Sequence, residues 1–75
     1  MPDLQQEEAA LALADRHIAE GEQRIDALIE RTKESEAAGR DTTTPERLLL
    51  LMRETLDQWH VHRRLILDAI ARCER

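Results

Sequence analysis

The chain has 75 residues with one Trp, no Phe or Tyr, two Gly and two Pro, so strand and turn chemistry is nearly absent and one all-α domain spanning 1–75 is expected. Its net charge of −5 excludes the broad basic surface that general DNA or anionic-membrane binding requires. No apolar run approaches the roughly 20 residues of a membrane span. Met1-Pro2-Asp3-Leu4 lacks a basic-then-apolar signal pattern, and Cys73 is the sole cysteine, so a cytoplasmic protein without an internal disulfide is expected.

The first helix is predicted over about residues 3–38. Pro2 and Asp3 are suitable start residues, and Glu7 and Glu8 place negative charge near the positive end of the helix dipole. Leu4, Leu11, Ile18, Ile25 and Thr32 recur every seven residues, followed three residues later by Glu7, Ala14, Gly21 and Leu28. That is a heptad seam, with large residues at one position and small ones in the middle of the other. Gly21 inside a helix costs about 1 kcal/mol relative to alanine. Its place on the seam favours a packing role, room for a close partner or a large side chain, over an incidental surface glycine.

The turn is predicted over 39–44. Gly39 suits the position just past a helix end, where the left-handed conformation carries no Cβ clash. Thr44-Pro45 reads as cap followed by first helical residue, and Thr43-x-x-Glu46 reads as a capping box one residue earlier.

The second helix is predicted over about 45–73, with a seam at Leu49, Met52, Leu56, Trp59, Arg63, Ile66, Ile70 and Cys73. Leu48 to Met52 is apolar all round the helix, and Leu65, Ile66 and Leu67 repeat the excess. One partner helix covers one stripe. The expected fold is therefore an antiparallel two-helix hairpin that dimerises into a four-helix bundle. The interface and core candidates are Ile18, Gly21, Ile25, Leu28, Leu48, Leu51, Met52, Leu56, Trp59, Arg63, Leu65 and Ile66.

Folding the chain about the turn pairs Leu28 with Leu56, Ile25 with Trp59, Gly21 with His62 and Arg63, Ile18 with Ile66, and Ala14 with Ala69 and Ile70. Charge supports helix 1 on helix 2. Residues 1–38 carry ten acids and four bases, and residues 39–75 carry six acids and seven bases. Each surface pair is weak, and the summed bias still opposes helix 1 packing on its own copy.

Chemistry-bearing residues are few. His17 flanks the first seam, and His60 and His62 stand at about the same level of the hairpin. Residues two apart on a helix point about 200° from one another, so His60 and His62 cannot grip one ion together. The Glu-x-x-His pattern of di-iron bundles is absent, and no metal or cofactor site is expected. Arg63 on an apolar seam reads as a register-fixing polar contact with an acid of helix 1 or of a second copy; an arginine-anchored anion pocket opposite Gly21 is the lesser alternative. Cys73, with Arg72 and Arg75 nearby, has no histidine placed to activate it. No phosphate loop or serine-nucleophile motif is present, so no catalytic residue is assigned. Arg24 to Ile29 resembles the first helix of all-helical chorismate mutases, whose further helices and basic residues this chain lacks.

Three stretches carry a wider resemblance: Ala14-Asp15-Arg16-His17-Ile18-Ala19-Glu20-Gly21-Glu22, Gly39-Arg40-Asp41-Thr42-Thr43, and Glu46-Arg47-Leu48-Leu49 with Trp59-His60-Val61-His62-Arg63. In this order they resemble a group of short helical proteins common in alphaproteobacteria, departing from them at Thr44-Pro45. The resemblance implies a bacterial cytosolic helical protein and brings no activity with it. The function expected is a non-enzymatic protein–protein interaction module, a small adaptor or regulator that works as a homodimer. The alternative is an RNA-binding hairpin dimer resembling Rop, which needs a basic face built from Arg47, Arg53, Arg64 and Arg72. An enzyme or ligand-binding bundle stands third.

Overall fold

The computed structural model describes residues 3–74; the reading of Pro2 as a start residue and the position of Arg75 beside Cys73 lie outside the described residues. Two helices, α1 (Leu4–Ala37) and α2 (Thr43–Cys73), make an antiparallel hairpin with Cα extents of 57 × 15 × 12 Å. At α1's start, the Asp3 carboxylate accepts the Gln5 N–H at 2.9 Å, relieving one donor that the helix itself cannot pair.

α1 ends in a Schellman motif. The Arg40 N–H donates to the Ser35 carbonyl at 2.9 Å and the Gly39 N–H to Glu36 at 3.0 Å, while Gly39 takes φ +74°. That is the conformation in which a residue with a Cβ is strained.

α2 begins two residues earlier than Thr44-Pro45 implies. Its N-cap is Thr42, and neither Thr43 nor Thr44 caps it. The Asp41 carboxylate does the capping, accepting the Thr43 N–H at 3.0 Å and the Thr43 hydroxyl at 2.7 Å. The Thr42 hydroxyl instead donates to the Glu46 carboxylate at 3.0 Å. Pro45 is thus the third helical residue, and the first i to i−4 bond runs from the Glu46 N–H to the Thr42 carbonyl at 3.0 Å. Proline's missing donor still falls among those a helix start leaves unpaired.

The register differs from the expected one by about a heptad. Leu56, rather than His62 and Arg63, stands against Gly21. Trp59 stacks on His17 instead of reaching Ile25, and Arg63 bonds Asp15. Partner positions run in opposite directions with a nearly constant offset, which sets the start of α1 level with the end of α2. The register expected from the sequence would have left about seven residues of α1, roughly 10 Å of helix, without a facing partner. After Gly39 the chain doubles back, so α2 starts beside α1 and not beyond its end.

The buried core is Ala14, Ile18, Ile25, Ile66 and Ala69, and Ala14 is the most enclosed at 1% exposure. No residue between Ile25 and Ile66 is buried, so the core runs from the open end to just past the middle of the hairpin and stops short of the turn.

Candidate functional site: an apolar groove beside the histidine–tryptophan stack

Gly21 opens a hollow on one face of the hairpin. A Cβ placed there would lie 3.3 Å from Leu56 Cδ1, so the bare backbone lets Leu56 lean toward α1. The resulting groove has a volume of about 280 Å³. Leu48, Leu51, Met52, Leu56 and Trp59 of α2 wall it, and His17 and Arg24 of α1 form its other rim. Two of its polar groups have partners within α1 or α2. The Thr55 hydroxyl donates to the Leu51 carbonyl at 3.0 Å, and Arg24 faces Glu20 at 4.0 Å. This arrangement favours an apolar occupant over an anion.

Trp59 closes one end. Its ring stacks on His17 with centroids 4.5 Å apart and planes 26° from parallel. His62 meets it edge-on at 5.5 Å, and a second, more open hollow lies among Thr55, Gln58, Trp59 and His62. Aromatic contacts of this geometry each contribute about 0.5–1.5 kcal/mol beyond the area they bury.

At the edge of the seam Arg63 bonds Asp15, Nε to Oδ1, at 2.6 Å, with both side chains partly exposed. An exposed pair of this kind contributes about 0–1 kcal/mol. It resolves the polar seam residue without a buried charge, and Arg63 does not line the groove.

Of the sequence candidates, Ile18, Ile25 and Ile66 are buried, whereas Gly21, Leu28, Met52, Leu56, Trp59 and Arg63 are half-buried along the seam. Leu48, Leu51 and Leu65 are exposed, the last two by 60%. Four contributors were not among the candidates: Asp15, His17, Arg24 and Asp41. Asp15 and His17 act through partners some 42–48 residues away, which no local pattern reveals. Asp41 was visible as a residue just before a helix start, in competition with three threonines. Its carboxyl is held below the usual carboxylate range, first by the Thr43 hydroxyl and then by the Thr43 N–H.

Arg47, Arg53, Arg64 and Arg72 are exposed, and the helical repeat spreads them over the outer side of α2 among Glu54, Asp57 and Asp68. Among the described residues no three His, Cys, Asp or Glu side chains converge as metal ligands, and no helix is long and apolar enough to cross a membrane. Comparison with protein-family models, with curated proteins and with solved structures finds no match to this chain.

Proposed function

We propose that the protein is a non-enzymatic protein–protein interaction module, a small cytosolic adaptor whose working form is a homodimer of hairpins in a four-helix bundle. One observation carries this reading: the hairpin leaves Leu48 and Leu51 about half or more exposed on an open apolar groove, and Leu65 60% exposed further along α2. Burying one leucine side chain stabilises by about 1.5–3 kcal/mol. Several left in water forfeit a large share of the roughly 5–15 kcal/mol that holds a domain together. A second copy covers them with no added chain, and two-fold pairs are the commonest oligomers. Catalysis finds no support in the arrangement, because the groove holds neither a nucleophile nor an acid–base pair in hydrogen-bond reach.

Sedimentation equilibrium across a dilution series tests the reading. A dimer is expected at tens of micromolar, with a melting temperature that falls on dilution. Replacing Leu51 and Leu65 together with Glu lowers assembly and melting temperature in parallel. A compact monomer whose unfolding midpoint is independent of dilution overturns it.

A further inference from the structure

The face that carries the groove also carries a projection that fits it. Leu13 lies one helical turn before His17, and Leu65 falls two heptads after Leu51, so the helical repeat places both on the groove's side of the hairpin. They are 49% and 60% exposed. The Asp15–Arg63 bond sets their level: Leu13 is two residues before Asp15 and Leu65 two after Arg63, so both stand at one height of the rod and together make its apolar ridge. The groove is centred about ten residues away toward the turn, between Gly21–Leu56 and Arg24–Met52, roughly 15 Å along the rod. Midway between ridge and groove stands the His17–Trp59 stack.

A ridge and a groove displaced along one face match each other only when one copy is reversed end for end. We propose that the groove is filled by the Leu13–Leu65 ridge of a second copy of this chain. The two hairpins are then related by a two-fold axis that crosses the rod at the His17–Trp59 stack, with their turns at opposite ends. This rests on the reading that the chain pairs with itself, and it specifies the face, the axis and the direction.

Three further features agree. Both ridge–groove contacts form at once, as an isologous interface requires. The broad face measures 57 by 15 Å between Cα atoms, long enough to seat both ridge–groove contacts, which lie roughly 15 Å apart. Charge also selects this face. The heptad positions put Glu8, Asp15, Glu22, Asp26 and Glu36 on the opposite flank of α1 with only Lys33, whereas the groove flank of α1 balances Glu20 and Glu34 with Arg24 and Arg31. Two copies of an acidic chain repel least through the balanced face.

The test is a distance measured in the assembled protein. Spin labels at Glu30→Cys, in a Cys73→Ser background, should lie about 40 Å apart across the dimer, from about 24 residues of axial offset at the helical rise plus the bundle's width. Hairpins with their turns at the same end would hold the labels near 20–25 Å. Leu65→Glu should weaken the dimer by at least about tenfold. Leu67→Glu, on the other flank and 39% exposed, should change it by less than about threefold. Circular dichroism verifies that both variants keep their helices. A dimer with the short distance, or one weakened equally by both substitutions, overturns the proposed packing and leaves self-association standing. A chain that stays monomeric across the sedimentation series overturns both.

Discussion

Arg63 meets Asp15 across the hairpin at 2.6 Å, and a slip of one heptad would hand the same guanidinium to Glu22, which occupies Asp15's position in the next repeat. The pair therefore records the register without dictating it. A double-mutant cycle on Asp15→Ala and Arg63→Ala is expected to give a coupling of about 0.2–1 kcal/mol that shrinks in high salt. A coupling above about 3 kcal/mol would mean that the pair is far better shielded from water than its exposure implies.

Gly21 is the second test of the register. Gly21→Ala gains up to about 1 kcal/mol in helix propensity, and the new methyl needs Leu56 to move by only a few tenths of an ångström beside an open groove. A modest net stabilisation is expected from chemical denaturation. Gly21→Leu fills the groove instead, and its signature is loss of assembly in sedimentation with helix content retained. Wild-type assembly in that variant would contradict the groove's role.

Asp41 links α2 to pH. Its folded-state pKa is depressed by the two Thr43 hydrogen bonds. Its contribution is present above the unfolded-state pKa and is lost as pH falls through the lower, folded-state value. Asp41→Ala should melt below wild type near neutral pH, and the difference should close on acidification to pH values below the usual carboxylate range. A gap that persists unchanged in acid would show that the side chain acts other than as an ionised acceptor.

Gly39→Ala places a Cβ at φ +74°. The space around it is open, so the cost is conformational alone, about 1–2 kcal/mol. Thermal melts should register it without any change in oligomer. Gly39→Asn should be milder, since asparagine enters the left-handed region more readily.

Protein purified without chelator should carry well under one metal ion per chain by elemental analysis. Among the described residues no three His, Cys, Asp or Glu side chains come together as a ligand set. Near-stoichiometric zinc or iron that disappears in His17→Ala would reverse this expectation.

The heptads of α1 and α2 were legible because their period is local. Leu11, Ile18 and Ile25 announce one seam, and Leu56, Trp59 and Ile66 announce the other. The offset between the seams was not legible for the same reason: sliding one helix by seven residues returns every seam residue to a seam position. Neither Arg63, with an acid waiting in both registers, nor the summed charge breaks that degeneracy. The turn does. Its path depends on Asp41 capping ahead of three threonines, a competition among similar acceptors that sequence leaves nearly even. The groove was out of reach too, because it exists only where Gly21 and Leu56 come level.

The hairpin is fastened covalently at one end and packed at the other. Among the described residues, four of the five buried ones lie toward the open end and the fifth, Ile25, just past the middle, while the helices flanking the turn share only half-covered contacts. Amide exchange should therefore begin near the turn, with the slowest amides around Ala14, Ile18 and Ile66, close to where the strand of chain is free to part. Leu48 belongs to that loosely held end, and Leu51 stands at its inner edge, level with Ile25. A second copy seated on them would slow exchange there more than anywhere else, so assembly would become visible as protection that appears with concentration at one end of the rod.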